Sequence, residues 1–106
     1  MGAPSIHDMG ATCHFTAELW PWKPEGGWYF VTLTPAAAEV VRERPRPPRG
    51  FGSVRVRATV GTTSWNTSVF PDSSSGSFVL PVKKAVRHAE GLGDGDPVEV
   101  VLDVLE

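Results

Sequence analysis

The sequence predicts a mainly β fold of six strands and two short helices, arranged as a pseudo-twofold barrel of two ββαβ halves. Three observations lead there. Eleven glycines and ten prolines in 106 residues leave room only for short elements separated by turns. Several segments alternate apolar and polar residues with a period of two, the mark of a half-buried strand. The order strand, strand, helix, strand occurs twice, and FVTLTPAAAEVVR (30–42) and FVLPVKKAVR (78–87) share Phe-Val, Leu, Pro and a final Val-Arg at equivalent places in the halves. Two interlocked halves in one barrel would bury the sheet edge that each exposes alone.

Residues 13–20 alternate Phe15, Ala17 and Leu19 against His14, Thr16 and Glu18, which predicts the first strand. Pro21, Pro24 and Gly26-Gly27 make a turn, and the aromatic and β-branched run 28–33 predicts a second strand and hence a hairpin. Thr34-Pro35 supplies an N-cap with proline at the first helical position, so residues 36–44 predict a helix that Pro45 stops. Residues 45–50, with three prolines, form an exposed connector. In 51–60 the alternation is cleanest: Val54, Val56, Ala58 and Val60 face one way, Arg55, Arg57 and Thr59 the other. A fourth strand over 62–70 follows the turn at Gly61, 71–76 is a polar loop, and 77–80 is a short fifth strand. Pro81 starts a second helix over 82–90, ended by Gly91, and Asp94-Gly95-Asp96-Pro97 turns the chain into a last strand, 98–105.

Length and composition bound the function. The chain predicts a flexible segment over 1–12 and a single domain over 13–106, with the 41% hydrophobic and 21% charged residues of a soluble globular protein. Apolar runs fall far short of the ~20 residues a membrane helix requires, and the first ten residues have neither the basic start nor the apolar stretch of a secretory signal. A cytoplasmic location is the expectation. A net charge of −2 and a pI near 5.9 argue against indiscriminate binding to nucleic acid. The lone cysteine, Cys13, excludes an internal disulfide and a Cys-rich zinc site.

The motifs Gly27-Trp28-Tyr29-Phe30-Val31, Val54-Arg55-Val56, Trp65-Asn66-Thr67-Ser68-Val69-Phe70-Pro71, Leu80-Pro81-Val82-Lys83-Lys84-Ala85-Val86-Arg87 and Gly95-Asp96-Pro97-Val98-Glu99-Val100 occur in this order over nearly the whole chain. In them the sequence resembles DUF1905, a small prokaryotic family of domains of unknown function. The resemblance implies a double-split β-barrel, similar in architecture to the swapped-hairpin DNA-binding domains of the AbrB and MazE type but with both halves in one chain. It brings no activity, substrate or catalytic residue. The Arg/Pro insert at 42–49 stands outside the family pattern.

Chemistry concentrates in the second predicted helix. Lys83, Lys84, Arg87 and His88 are cationic or potentially so, and two of them fall in the first turn, where the helix dipole disfavours positive charge. Something negative is expected beside them: a ligand's phosphate or carboxylate, or internally Asp72, Asp94 or Asp96. Strand alternation puts Trp65 and Thr67 on one face, and with Trp28 or Tyr29 and a cation they would line a small ligand site. The simpler alternative is that the tryptophans fill the barrel. Trp20-Pro21-Trp22 either caps an open end of the barrel or offers a partner surface. A second candidate surface is basic: Arg42, Arg44, Arg46 and Arg49 among prolines, with Arg55 and Arg57 on the strand that follows. A solvated loop is the plainer reading of the first four.

Catalytic and metal signatures are thin. Cys13 and His14 are neighbours on a strand and point to opposite faces, and His7, Cys13, His14 and His88 lack the spacing of metal ligands. No metal and no cofactor are expected. The sequence therefore predicts a non-catalytic binding module, monomeric or weakly dimeric, holding a small anionic ligand or a partner's carboxylate near Lys83, Lys84, Arg87, Trp65, Thr67 and Trp28. The alternatives are a nucleic-acid-binding regulator using the arginine set, and a small enzyme acting on an organic acid, with Arg87 or a lysine stabilising developing charge.

Overall fold

The computed structural model describes residues 11–23, 27–43 and 52–105. Its elements are β1 (Thr12–Glu18), β2 (Trp20–Pro21), β3 (Tyr29–Thr32), α1 (Pro35–Arg42), β4 (Val54–Val60), β5 (Thr63–Asp72), β6 (Ser77–Pro81), α2 (Lys84–Glu90) and β7 (Pro97–Val104). The seven strands pair antiparallel in the order β1-β7-β4-β5-β6-β3-β2, a curled half-barrel sheet.

Leu19 explains why seven strands stand where the sequence predicts six. The segment read as one strand bends there. β1 pairs with β7 and β2 with β3, so the two edges of the sheet belong to one run of chain. Leu19 itself has no exposed surface, and its amide and carbonyl bond across to Asp96 O (2.9 Å) and Gly95 N (2.8 Å) rather than to a regular ladder. β5 makes a similar turn without breaking: Thr63–Val69 pair with β4, and Phe70–Asp72 pair with β6.

The alternating pattern decides which face is buried. Val54, Val56, Ala58 and Val60 of β4 and Val98, Val100, Leu102 and Val104 of β7 point into one core, joined by Val31, Leu80, Val82 and Val86. Arg55 and Arg57 face outward. Helix α1 adds Ala37, Ala38 and Val41 to the core and packs on β1 and β6. Its start follows the expected rule, with Thr34 Oγ1 accepting from Ala37 N at 3.3 Å and proline opening the first turn.

Proline is where local reading and tertiary structure part. Pro81 ends β6, paired with Phe30, and does not start α2. The helix begins at Lys84, with Lys83 at its N-cap in extended backbone (φ −70°, ψ 161°) and without a capping side-chain bond. Only Lys84 of the two lysines is therefore in the first turn. Pro71, placed by the sequence in a polar loop, lies inside β5 opposite Phe78. The predicted connector over 45–50, with Arg46 and Arg49, and Arg44 before it, lies outside the described residues, as do residues 1–10.

Candidate functional site

Helix α2 is held at both ends. At its C-terminus Gly91 is left-handed (φ 65°); its amide reaches His88 O (3.3 Å) and that of Leu92 reaches Arg87 O (2.9 Å), a double closure that ends the helix. One residue earlier, Glu90 Oε2 accepts from Thr63 Oγ1 (2.7 Å), Thr62 Oγ1 (3.3 Å) and Thr62 N (3.3 Å), tying the helix to the start of β5. The Thr63 hydroxyl first, then the Thr62 donors, hold the Glu90 carboxyl below its ordinary pKa.

Arg87, in the last turn of this short helix, reaches back past its start and acts as a clamp. Its Nε donates to Val82 O (3.1 Å) and its Nη2 to Gly27 O (3.2 Å), while the guanidinium lies 4.3 Å from the centroid of the Tyr29 ring. Val82 N in turn donates to Tyr29 O at 2.9 Å. These contacts bring the β6–α2 connection against the entry to β3. On the inner face of β5, Trp65 and Thr67 remain half-buried rather than sealed, as alternation with buried Val69 requires.

Between these parts lies an open cleft of about 490 Å³, within the range of small-molecule sites. Trp28, Tyr29 and Trp65 wall it, Pro81 and Val82 line it further, Asn66 and Thr67 supply polar groups, and Lys83, Lys84 and Arg87 bring positive charge. All six residues of the sequence's ligand set (Lys83, Lys84, Arg87, Trp65, Thr67 and Trp28) thus line a single cleft, although they come from three separated stretches of chain. Lys83 and Lys84 are exposed, and Trp28 keeps 57% of its surface in solvent.

Two of the three carboxylates proposed as internal partners, Asp72 and Asp96, are engaged elsewhere, and among the described residues Asp94 makes no salt bridge to either lysine. Asp72 accepts from the Ser75 hydroxyl, which does most to lower its pKa, and from Ser74, and Asp96 accepts from Gly93 N. Among the described residues the one salt bridge is Arg42–Glu39 at 3.2 Å. Neither lysine has an ionic partner in that set.

The residues matching DUF1905, a domain of unknown function, are 15–102, and they take in the cleft and every element around it except the first residues of β1 and the last of β7. The chain belongs to the DUF1905 family. No curated protein matches this DUF1905 chain.

The basic set does not gather in this DUF1905 domain as the ligand set does. Arg55 and Arg57 are exposed on the outer face of β4, where Arg57 is paired in register with Asp103 and its Nη1 lies 3.5 Å from Asn66 Oδ1. Arg42 belongs to a different place, a shallower cleft of about 440 Å³ lined also by Phe78, Gly76 and Ser77, where its Nη2 donates to Gly76 O (2.6 Å). Among the described residues no three His, Cys, Asp or Glu side chains gather as metal ligands, and no helix is long and apolar enough to cross a membrane. Trp20-Pro21-Trp22 divides: the Trp20 indole donates to Thr32 Oγ1 (2.9 Å) and packs on Phe30, whereas Trp22 is exposed under the Lys23 ammonium.

Sequence reasoning missed what Arg87 does. Its place beside the lysines suggests a ligand-binding cation, but Nε and Nη2 are bonded to two backbone carbonyls and its face lies on Tyr29. No local pattern carries that signal, because both acceptors and the ring are brought to it by the fold.

Proposed function

We propose that this domain is a non-catalytic binding module whose cleft receives a small anionic ligand, or the carboxylate of a partner. Lys83 and Lys84 supply the charge, Trp28 and Trp65 the apolar wall, and Thr67 a hydroxyl; Arg87 holds the cleft's shape. The observation that carries this reading is convergence: cations without ionic partners among the described residues and a largely exposed indole share one 490 Å³ cleft. The test is a ¹H–¹⁵N NMR titration with acetate, benzoate and phosphate. Saturable shifts at residues 83–87 and at the Trp28 and Trp65 indoles are expected, and their loss in Lys83→Glu/Lys84→Glu. Absence of saturable shifts at the cleft with all three anions overturns the reading.

The nucleic-acid reading draws on Arg42, Arg44, Arg46, Arg49, Arg55 and Arg57; of these Arg42 lies in the shallower cleft, Arg44, Arg46 and Arg49 fall outside the described residues, and Asp103 stands opposite Arg57 in the ladder. The enzymatic reading draws on Arg87 or a lysine, and two of the five N–H donors of Arg87 already serve backbone carbonyls.

A finer architecture goes with the proposal: a six-stranded, pseudo-twofold double-split barrel in which the run from Thr12 to Pro21 counts as one bent strand. Exchange of the two halves leaves the pairing pattern unchanged. The β2–β3 hairpin corresponds to β5–β6, the β1–β7 ladder to β5–β4, while β4 pairs with its counterpart β7 and β3 with its counterpart β6. Single bonds agree: Leu33 N donates to Phe78 O and Val82 N to Tyr29 O, each at 2.9 Å. This register matches Tyr29 with Phe78 and Thr34-Pro35 with Lys83-Lys84, one residue away from the alignment of Phe30 with Phe78 that the sequence suggests.

A further inference from the structure

The two clefts follow one plan. In each, a glycine of positive φ (Gly27, 72°; Gly76, 73°) stands two residues before an aromatic ring, Tyr29 or Phe78. In each, an arginine from the helix of the other half, α2 over Tyr29 and α1 over Phe78, lies over that ring, 4.3 Å for Arg87 and 5.6 Å for Arg42, and donates Nη2 to the glycine carbonyl. Arg42 stands one turn further along its helix than Arg87 does, on the same face. What the clefts share is thus a clamp of helix to hairpin, and it serves the fold in both.

Their linings differ: the larger is also lined by Trp65, Asn66 and Thr67, the shallower by Pro71, Asp72 and Ser73. Ser77, which lines the shallower cleft, and Thr34 and Pro35, which stand outside it, hold the positions that Trp28, Lys83 and Lys84 hold around the larger cleft in the other half of the chain. Each member of the first set has a task inside the protein: Ser77 Oγ donates to Leu33 O (2.9 Å), Thr34 caps α1, and Pro35 opens its first turn. The second set has no such tasks. Lys83 makes no capping bond, both lysines are exposed, and Trp28 turns most of its surface to solvent. Folding alone is served better by the first set, so the second answers to something outside the chain.

A ligand that meets an indole wall and an ammonium rim together has a flat apolar part and a negative charge. Trp65, on the inner face of β5, adds a second indole to the lining, and Thr67 a donor or acceptor. Resting on the anion-binding reading above, we propose that the cleft selects planar aromatic anions, a ring carrying a carboxylate or phosphate, with Trp28 as the residue that reads the ring. Two sources share this chemistry, an aryl carboxylate and a mononucleotide.

The experiment compares matched probes by titration of the whole chain: benzoate with acetate, and adenosine monophosphate with ribose 5-phosphate. Stacking on an exposed indole predicts that the ringed member of at least one pair binds about tenfold tighter, and the pair that shows this names the source. Trp28→Ser, which installs the residue found in the other cleft, removes the preference, so that the ringed probe binds no tighter than its ringless partner. Equal affinities within both pairs overturn the ring inference while the anion-binding reading stands. A preference that survives Trp28→Ser overturns the assignment to Trp28, and no binding by any probe overturns both readings. Tight, salt-sensitive binding of single-stranded DNA that is lost in Arg55→Glu/Arg57→Glu, with no preference in the small probes, places recognition on the outer face and also overturns the proposal.

Discussion

Arg87 and Tyr29 form a stacked pair whose guanidinium is also hydrogen-bonded to the carbonyls of Val82 and Gly27. One side chain therefore joins the end of β6, the entry to β3 and the body of α2. Arg87→Ala removes a cation–π contact and two bonds to carbonyls, and is expected to lower stability by about 2 kcal/mol, read by urea denaturation. Arg87→Lys restores little, because an ammonium cannot present two donors in one plane over a ring. Faster amide exchange in residues 27–32 of either variant marks the clamp as the cause, and unchanged exchange there argues against it.

Lys83→Thr/Lys84→Pro installs the α1 cap on α2. Lys83 has the extended backbone that a residue before proline adopts. The double variant is expected to gain about 1 kcal/mol, seen as a melting temperature higher by about 4–8 °C, while losing affinity for anions. A variant that melts no higher shows that the lysines already serve the fold as well as Thr34 and Pro35 do.

Glu90 links stability to pH. Its carboxyl is held below its ordinary value of 4.5 in the folded state, chiefly by Thr63, so the unfolded chain takes up a proton more readily. The stability it contributes is whole above pH 4.5 and drains away as the pH falls through the lower folded value. Glu90→Gln, which does not titrate, is expected to melt below the wild type at pH 7, with the gap closing towards pH 3. A gap that stays constant over that range would disprove the linkage.

Gly61 and Glu90 are coupled sterically as well. Gly61 has a φ of 61°, and a Cβ there would collide with the Glu90 carboxylate. Gly61→Ala is expected to cost the ~1 kcal/mol typical of a left-handed glycine replaced by alanine, plus the bonds to Thr62 and Thr63 that the Glu90 carboxylate gives up as it swings aside. In Glu90→Ala the collision is absent, so a double-mutant cycle shows a coupling of about 0.5 kcal/mol or more. Strict additivity in thermal melts would leave only the backbone penalty.

The legible parts of the fold are those governed by local alternation. Val54 to Val60 and Val98 to Val104 announce their buried face residue by residue, and Thr34-Pro35 announces a helix start, because each pattern acts over a few positions. Leu19 does not announce the bend, since its polar partners, Gly95 and Asp96, are distant in sequence. Pro81 misleads for the same reason: it has the sequence context of a helix opener, and pairing with Phe30 keeps it in a strand. In the site, the lysines and the Trp65/Thr67 face could be read from spacing. The clamp could not, because Tyr29 and the carbonyl of Gly27 reach Arg87 only through the β3–β6 ladder.

The ladder between β1 and β7 runs from Thr12 opposite Asp103 to Glu18 opposite Pro97. On a ribosome the first of these strands emerges long before its partner exists. Until about the hundredth residue is clear of the exit tunnel, β1 has no ladder to join and Phe15 has no finished core, so the nascent chain must wait, unfolded along that edge, for its own last strand. Contacts this distant in sequence make folding slow relative to helical domains of similar size. They also set the described ends of the chain side by side, so a short covalent join between them would spare the protein that wait.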